Sequence, residues 1–305
     1  MSLVVVGSMA LDTVKTPFGE VKEVLGGAAT YFALAASRYT RVQVVAVVGE
    51  DFPEQHLDLL RRHGIDVSGV QRRPGRTFRW TGEYTYDLNT AHTLDTQLGV
   101  FADFHPEVPE HYRDAEFVFL ANIDPTLQLE VLRQMRSPRL RALDSMNFWI
   151  ESKRDPLTEA MAQVDVVLLN EGEVRQYADT YNLYVAARRV LDLGPTALVA
   201  KKGENGAVLI SPSGIFIAPA FPLESVLDPT GAGDSFAGGF IGYLASVGDV
   251  SLATIKRAMI HGSAVASYAV EDFSVDRLVR LRPEELQERV EQFRELTTFE
   301  ASDES

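Results

Sequence analysis

The strongest constraint on the fold of this chain is its rhythm: short apolar, β-branched runs recur along it, separated by stretches with a helical apolar period. The runs cover residues 3–7, 42–48, 117–121, 166–169, 197–200 and 207–210. Each is apolar throughout rather than at alternate positions, so each reads as a strand buried on both faces. Helix-period segments cover 28–38, 53–63, 126–135, 183–193, 236–246 and 252–269. Strands alternating with helices predict a three-layer α/β/α, Rossmann-like, mostly parallel sheet, with ligands at the carboxyl ends of its strands. One stretch breaks the rhythm. Residues 76–104 are rich in threonine and aromatics without a helical period, and with residues 14–24 they predict a small β-stranded lid inserted in a single domain over 1–305. The polar, acidic tail over 297–305 predicts a flexible end.

Composition narrows the partners. A formal charge of −14 opposes a nucleic-acid-binding face, which draws its affinity from lysine and arginine on phosphates. No apolar stretch approaches the roughly 18 residues that suggest a membrane span, and nothing resembles a signal peptide, so neither a membrane nor export is expected and the expected location is cytoplasmic. The chain has no cysteine, which leaves oxygen and imidazole as metal ligands.

The densest chemical signal is Asp228-Pro229-Thr230-Gly231-Ala232-Gly233-Asp234, where small residues give way to the helical pattern of Ser235-Phe236-Ala237-Gly238-Gly239-Phe240. Gly231, Ala232 and Gly233 leave successive backbone amides uncovered at a helix start, a place suited to an anion. Asp234 cannot bind phosphate, but it can take a proton from a hydroxyl about to attack one. On these residues alone, a plain capped turn is an equally good reading. The run is similar to the C-terminal signature of the ribokinase-like (PfkB) carbohydrate kinases, and that resemblance favours phosphoryl transfer.

The likeness extends over nearly the whole chain, and by resemblance it implies roles for several further residues. Asp12, in Val6-Gly7-Ser8-Met9-Ala10-Leu11-Asp12, and the pair Gly26-Gly27 would meet the acceptor, a small-molecule sugar or nucleoside. Asn122 and Asp124 fall where relatives often place a polar substrate contact. Asn170-Glu171-Gly172-Glu173 resembles an Asn-x-x-Glu element that organises Mg2+ and phosphate through water, although Asn170 with Glu173 is equally a helix capping box. Lys202, Gly203 and Gly206, in the run from Lys201, resemble the loop that meets ATP. His261 opens a late helix whose equivalent lines the adenine pocket, and a histidine that simply packs there is the reading favoured over a catalytic one. Carbonyl oxygens near Asp228 and Thr230 hold K+ in many relatives, but the stretch ending at Ser274 has serine where many carry glycine.

Departures bear on the acceptor. Ala10, Ala28 and Tyr31 stand where ribokinase has asparagine, lysine and asparagine, so several ribose contacts are missing. A larger or more aromatic acceptor is expected, with Arg79, Trp80, Tyr86, Phe148 and Trp149 as candidate lining. A sugar leads the expectation, with a nucleoside kinase or a non-catalytic sensor of the same fold as alternatives. A homodimer paired through the lid is compatible with its strands. A dinucleotide-dependent oxidoreductase, a Walker-type enzyme and a protein kinase fail on pattern, since their glycine-rich or catalytic runs do not occur.

Overall fold

The computed structural model describes residues 1–298. Thirteen strands form two sheets among these residues. They are β1 (Ser2–Val6), β2 (Ala10–Thr16), β3 (Gly19–Gly26), β4 (Arg41–Gly49), β5 (Ile65–Arg73), β6 (Arg79–Tyr84), β7 (Ala91–Gln97), β8 (Phe117–Leu120), β9 (Leu140–Asp144), β10 (Val166–Asn170), β11 (Ala197–Lys201), β12 (Ala207–Ser211) and β13 (Gly214–Ala218). The helices are α1 (Ala28–Ala36), α2 (Glu54–Arg62), α3 (Pro125–Gln134), α4 (Asn147–Ser152), α5 (Arg154–Ala162), α6 (Glu171–Ala178), α7 (Leu183–Leu191), α8 (Ala232–Val247), α9 (Leu252–Ala269), α10 (Asp276–Arg280) and α11 (Pro283–Thr297).

The main sheet runs β13-β12-β11-β10-β9-β8-β1-β4-β5. Every neighbouring pair from β11 to β5 is parallel, and the β12–β13 hairpin closes one edge antiparallel. Successive side chains of a strand enter opposite layers. Thus Leu3 and Val5 pack with Val42, Val44 and Phe119 beneath α1, α8 and α9, in a layer that also takes Phe32, Phe240 and Met259. Val4 and Val6 pack with Val45, Val118 and Leu120 on the other face, against Leu129 of α3, Leu157 of α5 and Val190 of α7. This is the expected three-layer ribokinase-like arrangement, and it explains why the strand runs are apolar at every position.

Strands β5, β9 and β13 are absent from the sequence expectation. In β9 Arg141 interrupts the apolar run, and β5 and β13 are edge strands with polar or exposed positions. The small sheet, ordered β3-β2-β6-β7, is wider than residues 14–24 with 76–104 suggested, because its first hairpin spans Ala10–Thr16 and Gly19–Gly26. Its two hairpins are antiparallel, but β2 and β6 meet in parallel, with Asp12 opposite Trp80. At the other end of the chain Thr297 closes α11, and the expected flexible tail otherwise lies beyond the described residues apart from Thr298. Among the described residues no helix is long and apolar enough to cross a membrane.

Candidate active site

Parallel order places the carboxyl ends of β9, β10 and β11 side by side, and each ends in a polar residue: Asp144, Asn170 and Lys201. Helix α8 starts against them. Gly231 is its N-cap with φ of 74°, a left-handed conformation that glycine adopts without strain, and a Cβ there would fall 2.3 Å from the ring of Tyr31. Asp234 sits in the first turn and is only partly covered. Burial, followed by the charge of Asp144, lifts its pKa to about 7 against the pull of Lys201.

Asp12 approaches from the small sheet. It is 4% exposed and its Oδ1 has no hydrogen-bond partner, which is costly for a buried carboxyl unless a ligand supplies a donor. Burial raises its pKa to about 7, the Gly27 N–H draws it down, and Asp228 and Asp234 push it up again. Those influences place Asp12 and Asp234 in one electrostatic neighbourhood, with Tyr31 and Tyr84 beside them. Thr230 Oγ1 donates to the Tyr84 hydroxyl at 3.4 Å, so the small sheet touches the loop that carries the amides. A Cβ on Gly26 would lie 1.9 Å from Asp12 Oδ2, so this glycine makes room first for the aspartate.

Asp228 is a brace. Its Oδ1 accepts from Thr230 N at 2.9 Å and its Oδ2 from Ser274 N at 3.1 Å. Ser274, at the position where many relatives carry glycine, has φ of 56° and donates to the Leu25 carbonyl at 2.5 Å. Asn170 and Glu173 form a true capping box: Glu173 N donates to Asn170 Oδ1 at 2.8 Å and Asn170 N to Glu173 Oε2 at 2.7 Å. Burial lifts Glu173 to about 7 while Lys201 opposes the rise. The turn Gly203–Asn205 lies under the β6–β7 turn, where Asn89 Nδ2 donates to Glu204 Oε1 at 3.4 Å. Lys202 meets Gly206 through its backbone, with its N–H on the Gly206 carbonyl at 2.7 Å.

A family model described as pfkB family carbohydrate kinase matches residues 2–279. The chain belongs to the PfkB family of carbohydrate kinases. A cytidine kinase from Thermococcus kodakarensis is 32% identical over 79% of this chain and 87% of its own length. Two solved structures share the fold. The nucleoside kinase of Methanocaldococcus jannaschii superposes with a TM-score of 0.76 at 21% identity, covering 95% of this chain and 98% of that one. An E. coli protein assigned as a ribokinase II, solved with ATP and Mg2+, gives 0.80 at 17% identity, covering 95% and 99%. This PfkB chain is thus an ATP-dependent kinase acting on a sugar or a nucleoside.

Several residues singled out in the sequence of this PfkB kinase hold partners within the protein or are exposed. His261 does not open a helix; it lies midway along α9, stacked on Tyr243 at 3.9 Å and bonded to the Tyr39 hydroxyl at 3.1 Å. Tyr243 is nine residues beyond Asp234 on α8, roughly 13 Å along the axis. Burial holds His261 down at about 4, as expected of a packed imidazole. Asp124 caps α3, its Oδ1 accepting from Thr126 N and Oγ1 at 2.9 and 2.8 Å. Asn122 accepts the Trp149 indole N–H at 3.0 Å. Arg79 is tied to Asp51 and Glu23, each at 2.8 Å, while Tyr86 and Phe148 are exposed.

In the sequence Tyr31 stands out only as a departure and Lys201 only as the first residue of the run likened to the ATP loop, while Tyr84 and Asp144 do not stand out. The signal that Asp144 and Lys201 share is that each is a polar residue closing an apolar run. A hollow of about 840 Å³ lined by Met1, Arg41, Gln43 and Asp66 lies at the opposite, amino end of the main sheet and shares none of these side chains.

Proposed function

We propose that the chain transfers the γ-phosphoryl group of ATP to a primary hydroxyl of a nucleoside, with Asp234 as general base. The observation that carries this reading is the place of the Asp234 carboxyl, in the first turn of α8 directly after Gly233 and in one electrostatic neighbourhood with Asp12, where burial pushes its pKa up to about 7. A base of that strength suits proton removal near neutral pH. The amides of Gly231 and Gly233 stabilise the charge on the transferring group, whereas the Ala232 N–H, expected from the sequence to join them, donates to the Pro229 carbonyl at 3.1 Å; Asp234 accepts the hydroxyl proton as the bond to phosphorus forms. Asp12 takes a hydroxyl donor of the acceptor on its free Oδ1 and sets the in-line orientation. The small sheet acts as a lid that excludes water, its contacts at Tyr84 and Asn89 touching both the anion loop and the Gly203 turn.

A nucleoside rather than a free sugar is supported by the lost ribose contacts, by buried Tyr31 and Tyr84 beside Asp12, and by the likeness to a cytidine kinase. Glu173 fits Mg2+: one carboxylate oxygen is held in the capping box, and no hydrogen bond engages Oε1 among the described residues. One or two carboxylates with substrate phosphates suffice for this ion, which neutralises phosphate charge when bound. Asp228 and Thr230 line the neighbouring place proposed for K+, and Gly203 with Gly206 the one for the nucleotide. The test is ADP release from ATP and Mg2+ with cytidine, other nucleosides, ribose and fructose. We expect a nucleoside to give the highest kcat/KM; a preference for ribose or fructose overturns the acceptor class, and no ADP with any of them overturns the kinase mechanism itself.

A further inference from the structure

Resting on that phosphotransfer reading, we propose that Lys201 is a second catalytic residue, donating to the non-bridging oxygens of the transferring phosphoryl group, and that Asp144 is its positioning residue. Lys201 closes β11 and its side chain is 16% exposed; Asp144 closes β9 and is 4% exposed. The ammonium contacts Asp144 Oδ2, whose companion Oδ1 accepts the Ser145 N–H at 2.9 Å. Both oxygens of Asp144 are therefore committed, which fixes the lysine head from below. Of the three N–H donors on an ammonium, one goes to Asp144, and no other hydrogen bond to Lys201 Nζ forms among the described residues.

What distinguishes this pair from a simple tie between strands is where the ammonium points. A Cβ built on Gly233 would lie 3.2 Å from Lys201 Nζ, so the charge stands against the first turn of α8, beside the amides that face the anion. A larger residue at position 233 would push the lysine away from that turn. Asp144, Glu173 and Asp234 all act on this one ammonium, which is the positive charge that offsets them beside α8. Burial works against the lysine charge, but Asp144 and then Glu173 outweigh it and keep the group protonated. A fixed cation aimed at the place where phosphate charge develops costs no reorganisation during the reaction, which is the condition for strong electrostatic catalysis.

The experiment compares Lys201→Met, Lys201→Arg and Asp144→Asn with the parent, by steady-state turnover and by calorimetric binding of AMP and of the nonhydrolysable ATP analogue AMP-PNP. We expect Lys201→Met to lower kcat by about 10²- to 10³-fold. It should weaken AMP-PNP by roughly tenfold while leaving AMP unchanged, since AMP has no group at the γ position. Lys201→Arg should restore part of the loss, and Asp144→Asn should lower kcat with little change in the KM for ATP. Breaking a buried pair from one side can unfold a protein; should that happen, the double variant Lys201→Met with Asp144→Leu removes both charges and is read in the same way. Equal weakening of AMP and AMP-PNP, or a kcat within threefold of the parent, overturns the proposal. If the parent turns over no acceptor, the phosphotransfer reading fails separately, while the two binding curves still report on Lys201.

Discussion

Replacing Asp234 by asparagine separates what this carboxyl does for turnover from what it costs the fold. Burial, then the Asp144 charge, lift its pKa from 3.8 to about 7. A displacement of about three units means the site disfavours the ionised form by roughly 4 kcal/mol. The side chain is only partly covered, and solvent at its exposed part screens it. We therefore take about 1–3 kcal/mol as the stability that asparagine returns at alkaline pH. The proton count sets the sign. The folded carboxyl keeps its proton up to about pH 7, whereas the unfolded one releases it near pH 4, as model peptides do at about 3.9. Between those values the folded state binds more protons, so parent stability falls as pH rises, and the penalty is complete above the window. The variant should melt about 2–8 °C above the parent near pH 8. The gap should narrow towards pH 4 and close below it, where both states of the parent are protonated. Its turnover should fall about 10²- to 10⁴-fold. Scanning fluorimetry across that pH range and coupled ADP release measure the two effects. A variant less stable than the parent at pH 8, or one that keeps a tenth of the turnover, would refute the reasoning.

Asp12→Asn should raise the KM for the acceptor by tenfold or more and move kcat and the KM for ATP far less; a loss confined to kcat would remove Asp12 from acceptor binding. Asp124→Ala should cost about 0.5–2 kcal/mol in a urea melt through loss of the α3 cap, with kcat/KM for both substrates unchanged. A specific rise in acceptor KM there would restore Asp124 to the site. Gly231→Ala should lower stability by about 1–3 kcal/mol, since the left-handed backbone and the Tyr31 ring both oppose a side chain; an unchanged melting temperature would contradict the packing described.

The parts of this protein legible in its sequence are those whose geometry is local. The turn at Gly231, the helix start just beyond it and the carboxyl of Asp234 are neighbours in the chain, so their arrangement follows from backbone preference, with Asp228 bracing the turn to Ser274. The capping box of Asn170 and Glu173 is set within four residues in the same way, and the doubly buried strands announce themselves because both layers demand apolar side chains. The small sheet is visible in the sequence only in outline, since its β2–β6 contact joins segments far apart along the chain. Tertiary structure decided the rest of the site. Lys201 and Asp144 are separated by 57 positions and meet only because β10 seats β9 and β11 on its two sides. Asp12, Tyr31 and Tyr84 become one neighbourhood only when the small sheet reaches the head of α8. His261 is a packed ring, as the sequence reading favoured, but its partners Tyr39 and Tyr243 are set only by the fold, because burial and charge pairing depend on which elements become neighbours, and residue type alone does not carry that information.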